Sequence, residues 1–140
     1  MKYAAIAVLA LMFVSGCGGN GSSFQAPTMT GTWNFSATSQ AFGYQYSGTA
    51  TIQQTGSSIT GSTTLSGLAC ATQQASISGS VAGTNLTMQF GGYSVSTGPE
   101  SDTMNFTGAL NSDHTSASGT YTTSGNCITG DHGTWTLTKQ

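Results

Sequence analysis

Two Asp–His pairs are the residues whose types and spacing could carry acid–base chemistry, Asp113–His114 and Asp131–His132. General acid–base catalysis needs a nucleophile within hydrogen-bond reach of the base, and the strand order derived below places the two pairs at opposite ends of the domain. Asp113 falls in a tight turn, where an Asp side chain typically accepts hydrogen bonds from nearby backbone. Asp131 lies in a long connection, but no Gly-x-Ser-x-Gly elbow accompanies it. We therefore expect no catalytic residues and no enzyme activity.

Other charged side chains are too few to build a metal or nucleic-acid site. Glu100 and Asp102 flank one connection, but two carboxylates on a loop are fewer ligands than Ca²⁺ takes, so we expect no metal and no cofactor. Charged residues make up 4% of the chain, which has no arginine, and Lys139 is the one cation beyond Lys2. Such a chain cannot neutralise a phosphate backbone, which excludes nucleic acid as a partner.

The first residues have the pattern of an export signal. Lys2 is followed by an apolar stretch at 3–14 that is too short to span a bilayer, and then by Ser15, Gly16 and Cys17. Val14-Ser15-Gly16-Cys17 resembles the lipobox of bacterial lipoprotein signal peptides. The alternatives are an ordinary secretory signal with a chance cysteine, or an uncleaved anchor.

The lipoprotein resemblance implies that Cys17 is acylated and becomes the mature N-terminus, with the lipid bilayer as a partner. The residue after it, Gly18, is not Asp, which in such lipoproteins implies transfer to the outer membrane of the cell envelope. The domain organisation we expect is a signal peptide at 1–16, the acylated cysteine with a flexible tether at 17–30, and a folded domain at 31–140.

From residue 31 onward the chain alternates apolar and polar residues with a period of two, which is typical of β-strands. The fold class is therefore all-β: an eight-stranded antiparallel up-and-down β-barrel, with a β-sandwich as the alternative. The outward faces are Ser, Thr, Asn and Gln, which excludes a barrel embedded in lipid. We expect strands at 31–38, 44–54, 57–66, 75–81, 84–90, 102–110, 115–123 and 133–138.

Connection lengths alternate along the chain. In a meander, successive connections fall at opposite ends, so we expect a tight-turn end with the connections at 55–56, 82–83 and 111–114. The loop-bearing end then carries those at 39–43, 67–74, 91–101 and 124–132. Cys70 and Cys127 both fall at this second end, and in an exported chain we expect them to form a disulfide.

The first strand opens on Gly31-Thr32-Trp33, which is similar to the Gly-x-Trp motif of the calycin group of lipocalins and avidins. The resemblance implies an eight-stranded barrel in which Trp33 plugs one end. In lipocalins a basic residue near the last strand lies over that Trp, and Lys139 is the residue available here. The chain is shorter than most lipocalins, lacks a C-terminal helix pattern, and lacks avidin's biotin-contacting residues in recognisable order. The resemblance therefore implies the barrel architecture but no particular ligand.

An eight-stranded barrel is either filled by side chains or holds one small ligand. Our first hypothesis is a small apolar or aromatic ligand bound at the loop-bearing end. The rival hypothesis is a structural or interaction protein of the envelope, with a filled core and an envelope protein as partner. The interior volume separates the two, because an empty apolar cavity favours a ligand. The aromatic residues expected to line the mouth are Tyr44, Tyr46, Phe90, Tyr93 and Tyr121.

Overall fold

The protein is described by a computed structural model, which covers residues 28–67, 74–94, 101–125 and 129–140. None of these residues belongs to a helix long and apolar enough to cross a membrane. The strands are β1 (Gly31–Ser39), β2 (Gln45–Thr55), β3 (Ser58–Ser66), β4 (Gln74–Ala82), β5 (Asn85–Ser94), β6 (Ser101–Leu110), β7 (Ser116–Ser124) and β8 (His132–Lys139).

The sheet closes on itself. Each strand pairs antiparallel with its neighbour in the chain, and β8 returns to pair with β1 from Trp33↔Lys139 to Ser39↔Gly133. The predicted eight-stranded up-and-down barrel is confirmed, and the sandwich alternative is wrong because the first and last strands hydrogen-bond to each other. Closure leaves none of the eight described strands with an exposed edge for another chain to extend.

The core is one cluster inside the barrel, formed by the inward residue of every second position. Phe35, Phe90 and Phe106 pack at its centre, with ring centroids 5.2, 5.6 and 4.4 Å apart in the three pairs. Edge-to-face and tilted arrangements of this kind are the preferred geometries of aromatic pairs. Trp135 and Tyr121 extend the cluster, at 5.8 and 5.9 Å from the Phe106 ring.

The fifth strand is longer than the sequence predicts. We expected it to end at Phe90, whereas β5 runs to Ser94. A β-bulge lies between Phe90, which pairs with Met104, and Tyr93, which pairs with Asp102. Gly92 supplies the bulge with a positive φ of 80°, a conformation that glycine adopts without strain. The two glycines that signalled a loop are therefore a bulge inside a continuing strand.

Glycines make room for Trp135 inside the barrel. Gly108 of β6 and Gly119 of β7 are cross-strand partners, and Gly119 also pairs with Trp135 of β8. The indole Nε1 of Trp135 donates to the backbone oxygens of Thr107 at 3.3 Å and Thr120 at 3.0 Å. The ring therefore lies across two strands at a point where neither has a side chain.

The tight-turn end is covered by residues 28–30, which precede β1. Trp33 is fully buried, and its Nε1 donates to the backbone oxygen of Met29 at 2.8 Å. The Lys139 Nζ lies 5.6 Å from the Trp33 ring centroid and donates to the Thr28 oxygen at 2.9 Å. Met29 is itself completely buried. The packed domain thus begins by Thr28, inside the segment that the sequence assigns to the tether.

The outer wall is a surface of hydroxyl groups. Neighbouring strands are linked by side-chain hydrogen bonds such as Ser36–Thr136 at 2.7 Å and Ser80–Thr87 at 2.9 Å. Among the strand side chains that are described, no Asp, Glu, Lys or Arg stands free on this wall, because Asp102 is buried and Lys139 lies over Trp33. Threonine suits such a wall, since its branched side chain fits the pleat and its hydroxyl stays hydrated.

Candidate functional site at the loop-bearing end

A carboxylate surrounded by hydroxyl groups lies beneath the loop-bearing end. Asp131 Oδ1 accepts a hydrogen bond from Ser39 Oγ at 2.5 Å, and Oδ2 accepts from Tyr46 OH at 2.6 Å and Tyr121 OH at 3.0 Å. All four side chains are buried. Hydrogen bonds to an ionised acceptor are about twice as strong as neutral ones. We call these four residues the Asp131 cluster.

Four separate elements bring the Asp131 cluster together. Ser39 ends β1, Tyr46 and Tyr121 are inward residues of β2 and β7, and Asp131 immediately precedes β8. The Asp131 backbone oxygen accepts from the Thr123 amide at 2.9 Å, which holds it beside β7. Lys139, the one lysine among the described residues, lies at the opposite end, so hydroxyl groups rather than a cation of these residues stabilise the carboxylate.

The Asp131–His132 pair does not form an acid–base dyad. The Asp131 carboxylate points inward to the tyrosines, whereas His132 is exposed and its Nδ1 lies 3.2 Å from the Gly130 backbone oxygen. Neighbours in a strand face opposite sides of the sheet, which explains the separation. At the other end, Asp113 accepts from the Thr115 hydroxyl and backbone amide. These bonds lower the pKa of the Asp113 carboxyl, as expected of turn chemistry.

Burial and the carboxylate together raise the pKa of two phenols. For Tyr46 and for Tyr121 the larger cause is desolvation, and the hydrogen bond to Asp131 adds to it because the bond requires a protonated hydroxyl. Both pKa values are displaced upward from the ordinary value of about 10. The two phenols therefore stay protonated in the folded barrel at pH values where free tyrosine ionises.

Alkaline pH is expected to destabilise the barrel steeply. A group whose folded pKa is raised contributes stability that is complete below its unfolded pKa and is lost as the pH rises above that value. Above about pH 10 the unfolded chain releases the Tyr46 and Tyr121 protons, while the folded barrel keeps them. The free energy of unfolding should then fall by about 2.7 kcal/mol per pH unit, about 1.4 for each tyrosine. Urea unfolding across this range measures it.

The matched control for the alkaline experiment is the double variant Tyr46→Phe/Tyr121→Phe. It lacks the two phenols whose pKa is raised, so its free energy of unfolding should change much less above about pH 10. Equal slopes in the parent and the variant would contradict the assignment. Absorbance of tyrosinate gives a second readout, because the parent should ionise these phenols only as it unfolds.

The five predicted ligand residues divide into four groups. Tyr46 and Tyr121 belong to the Asp131 cluster, and Phe90 packs in the core against Phe35 and Phe106. Tyr44 precedes β2 and is 43% exposed at the rim of the barrel. Tyr93 lies in β5, and its side chain is outside the described part of the chain. The structure therefore brings Tyr44, Tyr46 and Tyr121 to one end, at different depths.

An aromatic path leads from the rim to the Asp131 cluster. Phe42 is 52% exposed, and its ring centroid lies 5.7 Å from that of Tyr44. The Tyr44 and Tyr46 centroids are 6.3 Å apart, and those of Tyr46 and Tyr121 are 6.2 Å apart. The backbone of this corner is held by two hydrogen bonds, from the Phe42 amide to Ser39 Oγ and from the Ser39 amide to the Tyr44 oxygen. We call the exposed pair Phe42 and Tyr44 the aromatic shelf.

Below the aromatic shelf the described side chains fill the barrel axis. Tyr121 contacts Phe106, and Phe106 contacts Phe35, Phe90 and Trp135, so a ligand entering the barrel would have to displace aromatic rings. The grooves described on the wall, of about 420 Å³ between β3, β4 and β5 and of about 530 Å³ between β6, β7 and β8, have no aromatic lining. Of these surfaces, the aromatic shelf is therefore the one that gives a ligand aromatic contacts.

Several predicted residues lie outside the described part of the chain. They are Cys17, Cys70, Glu100 and Cys127. Asp102, which we paired with Glu100 at the connection between β5 and β6, is buried at the start of β6. Within the described residues no group of three His, Cys, Asp or Glu side chains could hold a metal ion.

The sequence contained an unused signal for the Asp131 cluster. Ser39 continues the inward series Trp33, Phe35, Ala37, and Asp131 precedes the inward series Gly133, Trp135, Leu137 with the same period of two. Extending both series by one step places a hydroxyl and a carboxylate inside adjacent strands. Polar residues at inward positions are normally satisfied by partners, which is what the structure has here.

Comparisons with known proteins identify a fold and no family. No family model matches the chain, and no curated protein matches it. Among solved structures, the chain is similar to a redesigned β-barrel, mFAP1, bound to DFHBI, with a TM-score of 0.52 and 22% identity. The match covers 79% of this chain and 94% of that chain. At this identity the likeness supports the barrel architecture alone.

Proposed function

We propose that the chain is a lipid-anchored lipoprotein of the bacterial cell envelope, acylated at Cys17 and carried to the outer membrane. Its β-barrel presents the loop-bearing end to a small apolar or aromatic ligand. The lipobox pattern at residues 14–17 supports the anchor, and the closed barrel supports a rigid scaffold for the connections. The chain is proposed to act by binding and not as an enzyme.

The observation that carries the ligand proposal is the aromatic shelf. Phe42 and Tyr44 are the large hydrophobic side chains left exposed among the described residues, at 52% and 43%, and both lie at the loop-bearing end. Tyr46 lies against the inner side of Tyr44 and is itself fixed by Asp131. A preorganised aromatic surface contributes to affinity because little conformational freedom is lost on binding.

The similar solved structure gives the proposal a precedent in architecture. The redesigned barrel mFAP1 is bound to DFHBI, so a small β-barrel similar to this one in fold holds a small molecule. In this chain the barrel axis is occupied by aromatic side chains, and the proposed ligand therefore contacts the shelf from outside. The proposed site keeps the loop-bearing end of our first hypothesis, but it does not use a cavity inside the barrel.

A fluorophore titration tests the ligand proposal. We expect a neutral aromatic dye such as Nile red to show saturable binding to the folded protein. The double variant Phe42→Ser/Tyr44→Ser should weaken that binding at least tenfold, about 1.4 kcal/mol, because it removes both aromatic faces. The control Ala82→Ser, an exposed position in β4 at the tight-turn end, should bind like the parent.

The proposal is overturned if the parent shows no saturable uptake of the dye. It is also overturned if the double variant binds as tightly as the parent, since binding would then occur elsewhere. Far-ultraviolet circular dichroism of each variant confirms that it is folded, so a loss of binding reports on the shelf.

The second candidate function is a structural or interaction protein of the envelope with a filled core. The packed Phe35, Phe90 and Phe106 rings favour it, because they leave the barrel to act as a rigid support. In this case the long connections would contact an envelope protein. Capturing the same partner after all four long connections have been replaced would dismiss this candidate.

The proposal includes a disulfide between Cys70 and Cys127. The connections that carry them, β3 to β4 and β7 to β8, both leave the barrel at the loop-bearing end. A cross-link over so long a segment would stabilise the fold by about 4 kcal/mol on the chain-entropy estimate. Thiol alkylation of the unfolded chain with and without reductant tests for it.

A further inference from the structure

The start of the described chain is fastened to the tight-turn end of the barrel. Met29 is completely buried, its backbone oxygen accepts from Trp33 Nε1 at 2.8 Å, and its amide donates to Gln54 Oε1 at 2.9 Å. Burying a methionine side chain removes apolar surface from water, so this contact stabilises residue 29 in its place on the barrel.

The neighbours of Met29 are fastened too. Lys139 Nζ donates to the Thr28 oxygen at 2.9 Å, and the Gln54 amide donates to Thr30 Oγ1 at 3.0 Å. Residues of β1, β2 and β8 thus hold three successive residues of the incoming chain. The polypeptide therefore reaches the barrel at the end opposite the aromatic shelf.

We propose that the barrel stands on the membrane with its tight-turn end toward the lipid and its aromatic shelf facing away. This orientation rests on the proposed acylation of Cys17. Cys17 precedes Thr28 by 11 residues in the sequence. Strands of about ten residues tilted by about 40° give the barrel a height of about 25 Å. The shelf is thus presented to the space beyond the membrane.

The distribution of charge supports the same orientation. At the tight-turn end, the charged side chains of the described residues are one cation and one exposed carboxylate, Lys139 and Asp113. At the loop-bearing end they are two buried carboxylates, Asp102 and Asp131, with no lysine or arginine. An anionic lipid surface repels the second end more than the first.

The competing arrangement has the aromatic shelf inserted in the lipid. Exposed aromatic side chains favour the membrane interface, and in this arrangement Phe42 and Tyr44 anchor the loop-bearing end. The attachment of residues 28–30 at the tight-turn end argues against this arrangement. With the shelf in the lipid, the segment between Cys17 and Thr28 would have to span the height of the barrel.

Energy transfer from each end of the barrel to the lipid surface tests the orientation. A fluorescent amino acid is incorporated in place of Ala41, beside the shelf, or Ala82, at the tight-turn end; both positions are exposed. The acylated full-length chain is placed in vesicles containing a headgroup-labelled acceptor lipid. We expect transfer from position 82 to exceed transfer from position 41 at least twofold.

Equal transfer from the two positions, or greater transfer from position 41, overturns the orientation. The Cys17→Ser chain should show no transfer from either position. A parent chain without acyl mass and without vesicle association would refute the anchor, and the orientation with it, which distinguishes that failure from a reversed orientation on a membrane-bound chain.

Variants that weaken the contacts of Thr28 and Met29 with the barrel give a second test of the orientation. The variant Lys139→Met removes the hydrogen bond to Thr28, and Met29→Ser removes the buried side chain. Both should keep vesicle association while reducing the difference between the two positions, since the tether then holds the barrel less rigidly. An undiminished difference in the two folded variants would show that these contacts do not set the orientation.

Discussion

Replacing Asp131 with alanine is expected to lower the free energy of unfolding by about 3 kcal/mol or more. The substitution leaves the hydroxyl groups of Ser39, Tyr46 and Tyr121 buried without their acceptor. Each buried group left unsatisfied costs about 1–3 kcal/mol, and the sum is offset in part because the carboxylate no longer has to be desolvated. The urea midpoint should shift by about 1 M or more with an unchanged slope.

Two further substitutions make the Asp131 experiment specific. Asp113→Ala removes a carboxylate that also accepts hydroxyl and amide hydrogen bonds, but at an exposed turn, and should cost about 1 kcal/mol or less. Asp131→Asn should be milder than Asp131→Ala, because the amide keeps an acceptor for Ser39. If Asp131→Ala were as stable as the parent, the cluster would not be a stabilising network.

The second large effect is expected at Gly119, where alanine should destabilise the barrel by about 3 kcal/mol. A methyl group there would overlap the backbone oxygen of Thr107 and lie 2.5 Å from the Gly108 Cα. Since the obstacle is backbone of a paired strand, β6 and β7 must separate locally. Overpacking a core ordinarily costs about 1–3 kcal/mol, and displaced backbone falls at the upper end of that range.

Gly91→Ala is the matched control for Gly119→Ala. It adds the same methyl group in a strand glycine, but the nearest atoms, Ser76 Oγ and Thr103 Cγ2, lie at 3.8 Å, an ordinary contact distance. Its effect on stability should stay within about 0.5 kcal/mol. Near-ultraviolet circular dichroism should change for Gly119→Ala alone, because Trp135 pairs with Gly119 across β7 and β8 and its ring packs against Gly108. Equal stabilities of the two variants would refute the close approach of β6 and β7.

The local pattern of apolar and polar residues predicts much of the fold. Every strand was recognised from alternation of period two, because side chains on a strand point to opposite faces and one face is buried. The tight turns were recognised from their glycines and Asn–Asp chemistry. The end of β5 was missed, because a Gly-Gly pair is equally compatible with a loop and with a bulge, and only pairing with β6 distinguishes them.

The candidate site depended on contacts that the local pattern does not contain. Tyr44 and Tyr46 share one alternation phase, yet the first is exposed and the second is buried beside Asp131. Asp131 is 85 residues from Tyr46 and 92 residues from Ser39 in the chain. No windowed pattern joins residues so distant, because their meeting requires the sheet to close.

The amino-acid sequence by itself determined the all-β class, the meander and the uncharged wall, since these follow from residue types repeated within each strand. It also contains Val14-Ser15-Gly16-Cys17, whose resemblance to a lipobox is the basis of the proposed anchor. Tertiary structure alone decided that the barrel axis is filled, that the incoming chain is fastened at Met29, and that Phe42 and Tyr44 remain outside. The physical reason is that burial and hydrogen-bond satisfaction are settled between strands, after closure brings distant residues within van der Waals contact.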